Sequence, residues 1–239
     1  MIRRPALNHA ALPGDPQNSR ALSGAARATH VGYLTVSTPP LSDASAAGPL
    51  NTPDARAALA GEAALLAAQE LDPALRLRLA PIRLLCLDMD GILTDGHLYF
   101  TGEGWSQRFC VRDGYGVKLL QAAGIEVAVL SGGEVPSGRA RAASLGLRHA
   151  RFGVVDKVAE FTALAGALGI SAAETAFMGD ELPDIPLLRL VGFAATVPEA
   201  VAEVRAAAHY VTRCRGGDGA VREVADLLRR QRAAAGGSL

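Results

Sequence analysis

Lysine is almost missing from this chain: of 24 basic residues only Lys118 and Lys157 are lysines, and the rest are arginines. A lysine here therefore carries more information than usual. Net charge of one sign is lacking too, with 24 acids against 24 bases, so no global field points to nucleic acid or to an anionic membrane as partner. Cysteine is sparse. Cys86, Cys110 and Cys214 are scattered, odd in number and without metal-ligand spacing, which excludes a disulfide framework and reads as small buried hydrophobes in a reducing cytoplasm. Long apolar runs are absent, none approaching the roughly 20 residues that span a bilayer. Arg3 and Arg4 are followed by no apolar stretch, so no secretory leader is expected.

The chain changes character near residue 80. Eight of its 13 prolines precede that point, and residues 1–53 carry neither helical nor strand periodicity, so they are expected to form a disordered extension. Residues 54–80, with AALAGEAALLAAQELDPALRLRLA, are expected to form one or two leading helices interrupted at Pro73. Residues 81–234 form the remaining domain. There, strand-like runs at Ile82–Asp88, Glu126–Leu130, Ala150–Gly153, Thr175–Met178, Gly192–Ala195 and His209–Val211 alternate with helical segments at Tyr115–Ala123, Pro136–Leu145, Asp156–Leu168, Pro183–Leu190 and Pro198–Ala206, and a last helix runs from about Gly219 to Gln231. Such alternation predicts an α/β fold, a doubly wound parallel sheet with helices on both faces. The segment His97–Phe109 departs from it: short strands on either side of Gly102–Gly104 predict a β-hairpin flap.

Chemistry-bearing residues gather at the predicted strand ends. The first strand closes in LLCLDMDG, placing Asp88 and Asp90 where ligand sites form in open α/β sheets. Two carboxylates one residue apart can share a cation, and their repulsion is costly unless a metal or a proton resolves it. Taken alone, DxDG is also compatible with an ordinary acidic turn. The second strand runs into Ser131, Gly132 and Gly133, a hydroxyl and unobstructed amides suited to phosphate oxygens. Lys157 opens a helix after a strand end. A fourth strand leads into Gly179, Asp180, Glu181 and Asp184, which reads either as a cation site or as a helix cap with first-turn acids.

All four elements occur in order at successive strand ends, and this order resembles the haloacid dehalogenase superfamily of phosphotransferases. The resemblance implies a Mg²⁺-dependent phosphatase with an aspartyl-phosphate intermediate. It makes Asp88 the nucleophile and Asp90 the acid and base. Ser131, Gly132 and Lys157 would hold phosphoryl oxygens. Asp88, Asp180 and the backbone carbonyl of Asp90 would bind Mg²⁺, with Glu181 and Asp184 supporting them. The intervals from Asp88 to Ser131 and from Ser131 to Lys157 are too short for a cap domain, so a capless member is expected.

The runs DGHLYF, TGEGWSQRF, VRDGYGVKLL, GVVDK and HYVTRCRGGDGAVREV are similar to the 3-deoxy-D-manno-octulosonate 8-phosphate phosphatase family. That likeness implies a sugar-acid phosphate substrate of lipopolysaccharide synthesis, a homotetramer assembled through the hairpin, and a cytoplasmic location. It also implies Arg112, Asp113 and Tyr115 near the site, Gly216–Gly219 closing over a neighbour's site, and Arg222 as a contact to the sugar acid. Two departures stand out: no arginine follows Ser131-Gly132, where Gly133 and Glu134 stand instead, and Glu181 occupies a position where Asp is usual. A nine-carbon or broader substrate range is the alternative within the same chemistry; a catalytically retired oligomerisation domain is the alternative outside it. His149 and His209 are read as structural, and His97 and Trp105 as interface residues of the hairpin.

Overall fold

The computed structural model describes residues 72–102 and 104–234. The expected extension over 1–53 and most of the leading segment 54–80 lie outside the described residues. The part of that segment which is described forms helix α1, Pro73–Leu79. Pro73 opens this helix, because its missing N–H is a group that a helix start leaves unpaired anyway. Asp72 caps it, accepting the amides of Ala74 and Leu75 at 2.9 and 3.1 Å.

Six strands make one parallel sheet: β1 Leu84–Leu87, β4 Glu126–Leu130, β5 His149–Arg151, β6 Thr175–Met178, β7 Phe193–Thr196 and β8 Tyr210–Val211, in the order β5-β4-β1-β6-β7-β8. Every pairing is parallel. Strand β1 is central, with Leu84, Leu85, Cys86 and Leu87 all fully buried, which is why it reads as a continuous apolar run rather than an alternating one. The chain leaves β1 toward β4 and β5, then returns past it to β6, β7 and β8. That reversal puts the switch point at the carboxyl end of β1, flanked by the ends of β4 and β6.

The helices are α2 Val111–Ala122, α3 Pro136–Ser144, α4 Lys157–Leu168, α5 Ile185–Leu190, α6 Ala202–Ala207 and α7 Ala220–Ala234. Helices α2 and α7 pack against each other, whereas α5 packs on both α4 and α6. Predicted boundaries hold within a few residues except at three places. Helix α2 starts at Val111, a turn earlier than expected, although Gly114 and Gly116 weaken its local propensity. The packing explains this: a Cβ on Gly116 would stand 3.1 Å from Arg222 Cα of α7. Helix α6 begins only at Ala202, after a turn at Pro198. A 3₁₀ turn, Leu182–Asp184, precedes α5.

The hairpin is present as β2, Tyr99–Phe100, and β3, Trp105–Ser106, paired antiparallel with Phe100 opposite Trp105. Its outer face is apolar and open. Phe100 is 66% and Trp105 57% exposed, and their rings lie 5.2 Å apart. Among the described residues no helix is long and apolar enough to cross a membrane.

Candidate active site

Three strand ends converge. Asp88 follows β1, Ser131 follows β4, and Gly179 and Asp180 follow β6, while Lys157 is the first residue of α4. Carboxylate oxygens of Asp88, Asp180 and Asp184 all lie within 4.8 Å of one another. Lys157 is 8% exposed; its Nζ stands 2.9 Å from Asp88 Oδ2 and 2.5 Å from Asp184 Oδ1. Asp88 Oδ1 accepts the amide of Met89 at 2.7 Å. The lysine that composition marked out is thus buried between two acids.

Burial and charge crowding set the electrostatics. Burial, reinforced by the charge of Asp184, pushes Asp88 up to about 7 even though Lys157 opposes it. Burial, then the charges of Asp88 and Asp184, push Asp180 up to about 7 as well. Burial alone would lower Lys157, but the Asp88 and Asp184 charges outweigh it and hold the ammonium above its ordinary range. Two hard oxygen donors that resist ionising together are the donor set a small divalent cation relieves.

The acids divide into two sorts. Both oxygens of Asp184 are occupied, Oδ1 by Lys157 and Oδ2 by the amides of Asp180 and Glu181 at 2.9 and 3.1 Å. Asp184 therefore shapes the β6 turn and orients Lys157, leaving Asp88 and Asp180 to face a cation. Space for Asp180 comes from Gly91, whose φ is +76° and where a Cβ would fall 2.0 Å from Asp180 Oδ2. Glu181 is exposed and accepts the amide of its own neighbour Leu182 at 2.8 Å. Its extra methylene therefore sits outside the cluster.

Opposite them, Ser131 is 1% exposed; its amide donates to the Arg151 carbonyl at 2.9 Å and its hydroxyl to the Gly133 carbonyl at 3.1 Å. The turn of Gly132 and Gly133 faces Asp90, whose Oδ2 would be 2.8 Å from a Cβ at Gly133. Sequence reasoning missed one buried polar residue here. Gln107, just beyond β3, donates its side-chain amide to Asp90 Oδ1 and accepts the hydroxyl of Ser137 at 2.9 Å. No motif marks it; only the burial of a polar residue beside an exposed hairpin could have.

A haloacid dehalogenase-like hydrolase model matches residues 153–224. The 3-deoxy-D-manno-octulosonate 8-phosphate phosphatase of Yersinia pestis is 40% identical over 152 residues, 63% of this chain and 81% of the relative. Its namesake from Escherichia coli K12 is 42% identical over 148 residues, 62% of this chain and 79% of the relative. The chain belongs to the 3-deoxy-D-manno-octulosonate 8-phosphate phosphatase family. A crystal structure of the Moraxella catarrhalis phosphatase of that name, in complex with magnesium, phosphate and KDO, superposes with a TM-score of 0.65 at 35% identity, covering 68% of this chain and 95% of that one.

Other residues expected from the family likeness lie elsewhere in this chain. Asp113 is 1% exposed and is spent inside the protein: its carboxylate accepts the amides of Gly219 and Arg222 at 3.1 and 2.8 Å. It caps α7, and burial holds its carboxyl above the usual range against those amides. Arg112 reaches Asp218 at 3.4 Å. Arg222 lies 5.7 Å over the Tyr115 ring and binds Asp226 at 3.0 Å. Arg112 and Arg222 line a groove of about 590 Å³ with Tyr210 and Arg230, apart from the acidic cluster.

The expected closing segment also differs. A Cβ on Gly216 would stand 1.8 Å from the Gly91 carbonyl, and Gly217 donates its amide to Ile92 at 3.0 Å. Gly216 and Gly217 thus press on their own chain's loop after Asp90, a close approach that needs glycine. A cavity of about 350 Å³ opens beside Asp180, lined by Gly91, Asp95, Arg108, Glu199 and Arg215. His209 is structural as expected, its Nδ1 accepting the Ala194 amide at 2.9 Å. Glu134, at the position lacking arginine, is exposed and pairs with Arg139 at 2.5 Å.

Proposed function

We propose that this chain hydrolyses 3-deoxy-D-manno-octulosonate 8-phosphate to the keto-sugar acid and phosphate. The observation that carries this is the cluster at the strand ends, where carboxylate oxygens of Asp88, Asp180 and Asp184 lie within 4.8 Å of one another and Lys157 Nζ stands 2.9 Å from Asp88. Asp88 and Asp180, with the Asp90 backbone carbonyl, would hold Mg²⁺. When bound, the cation supplies positive charge that offsets repulsion between Asp88 and a phosphate dianion.

Asp88 attacks phosphorus, its carboxylate oriented by the Met89 amide and by Lys157. Lys157, the Ser131 hydroxyl and the Gly132 amide hold the phosphoryl oxygens. As the bond to the sugar oxygen breaks, Asp90 gives its proton to the leaving alkoxide. It then takes a proton from the water that attacks the aspartyl phosphate, so its protonation is restored over one cycle. Leaving-group room is supplied by the cavity beside Asp180, where Arg108 and Arg215 offer guanidinium groups to a sugar carboxylate.

The open apolar face of Phe100 and Trp105 supports assembly of four copies through the hairpin. Three free cysteines accord with a reducing cytoplasm. Phosphate release from the eight-carbon substrate, measured with and without Mg²⁺ beside a nine-carbon analogue and an Asp88→Asn control, tests the proposal. Mg²⁺-dependent release that favours the eight-carbon acid and vanishes in the control is expected. Preference for the nine-carbon acid would move the substrate, and no release from either would leave an oligomerisation domain.

A further inference from the structure

Gln107 is a buried polar side chain at the site that the chemistry above leaves without a task. It is 8% exposed, although it lies immediately after a hairpin whose strands are open to solvent. Its amide spans two elements. Nε2 donates to Asp90 Oδ1, and Oε1 accepts the hydroxyl of Ser137, in the first turn of α3, at 2.9 Å. An ionised carboxylate only accepts hydrogen bonds, so the amide nitrogen has to face Asp90, and Ser137 has to donate to the oxygen left over. The fit is close. A Cβ at Gly138 would stand 3.2 Å from Gln107 Oε1, so the amide has little room to turn away.

The other oxygen of Asp90 points differently. Oδ2 lies 2.8 Å from where a Cβ of Gly133 would stand, and Ser131 Oγ lies 3.7 Å from that same point. One Asp90 oxygen is therefore tied to the base of the hairpin while its twin faces the loop that cradles phosphate. We infer that Gln107 is a positioning residue for phosphate-ester cleavage: by holding Asp90 Oδ1 it presents Oδ2, and Oδ2 alone, to the bridging oxygen of the leaving group. This rests on the reading of Asp90 as acid and base given above. In the first step the Oδ2–H bond breaks and its proton goes to the bridging oxygen as the phosphorus–oxygen bond opens. In the second step Oδ2 receives a proton from water. Gln107 exchanges no atom in either, and it contributes by keeping a rotatable carboxyl in reacting geometry.

The consequence separates substrates by leaving group. An alkoxide departs badly unless it is protonated, whereas p-nitrophenolate departs without help. With full-length protein and saturating Mg²⁺, kcat/KM is to be measured for 3-deoxy-D-manno-octulosonate 8-phosphate and for p-nitrophenyl phosphate. This constant reports the steps through leaving-group departure. Gln107→Met keeps the volume and removes the donor. It is expected to lower kcat/KM for the sugar phosphate by roughly ten- to a hundredfold, part of the range that a positioned acid supplies. For the nitrophenyl ester the change should stay within about threefold, since that departure asks little of the acid. Ser137→Ala, which frees only Oε1, should show the same selectivity in weaker form, and it serves if Gln107→Met does not fold. Equal losses on both esters, or no loss on either, would overturn the inference while leaving the phosphatase reading intact. A wild-type protein that cleaves neither ester would remove both readings together.

Discussion

Without a metal, the acidic cluster should make the protein less stable as pH rises from 5 to 8, and Mg²⁺ should abolish that slope. Asp88 is pushed from 3.8 up to about 7 in the fold. Between those values the folded protein keeps a proton that the unfolded chain has already released, so rising pH favours unfolding. A displacement of that size corresponds to about 4 kcal/mol when fully expressed. Asp180 acts in the same direction, but the two do not add, because its rise already counts the charge of Asp88. Mg²⁺ binds the ionised acids. At pH 8 and about 100 times its dissociation constant it should stabilise by about 2.7 kcal/mol. At pH 5, two units below either carboxyl's folded value, protons compete so well that the gain should approach zero. For a domain of this size about 1 kcal/mol moves the melting temperature by about 2–4 °C, so the gap between EDTA and Mg²⁺ melting curves should widen to roughly 5–10 °C by pH 8. Thermal unfolding followed by circular dichroism at pH 5, 6, 7 and 8 measures it. The window stays clear of acids held low, such as Glu174 at about 2. A gap that is constant or narrows with pH would refute the assignment of Asp88 and Asp180 as the cation's ligands.

Asp88→Asn should abolish turnover while raising the melting temperature in EDTA at pH 8, since it removes one charge from a crowded buried cluster; melting and phosphate release on the same preparation check this. Gly91→Ala puts a methyl against Asp180 Oδ2 and should weaken Mg²⁺ at least about tenfold, as read by isothermal titration. Asp113→Ala leaves the amides of Gly219 and Arg222 without their acceptor and should cost about 1–3 kcal/mol in urea unfolding. Trp105→Glu places a charge in the open hairpin face and should shift the assembled species toward monomer in light scattering.

The parallel sheet was legible because β1, β4 and β6 are largely apolar and run into Asp88, Ser131 and, one glycine on, Asp180. Asp88, Ser131 and Asp180 could be named because strand ends are local features and the four elements occur in the order the family resemblance requires. Strand order depends on which way each crossover turns, and it needed the structure. Gln107 was invisible because its two partners come from other elements, Asp90 being 17 residues and Ser137 30 residues away along the chain. The capping role of Asp113 was hidden for the same reason: the amides it caps lie 106 and 109 residues on. The start of α2 was hidden by Gly114 and Gly116, which argue against a helix locally and are explained by the neighbour they admit. Family likeness put Gly216–Gly219 over another subunit's site. The structure adds that Gly216 also packs on its own chain, where a Cβ would stand 1.8 Å from the Gly91 carbonyl.

That approach has a bearing on biosynthesis. Each acid of the cluster precedes Gly216 and Gly217 in the chain, and the loop they back, Gly91 to Asp95, follows the first strand of the sheet. A nascent chain would thus carry every reacting group while the wall behind Asp90 is still missing. The backing of the Asp90 loop is thus added by residues made after the acids it serves.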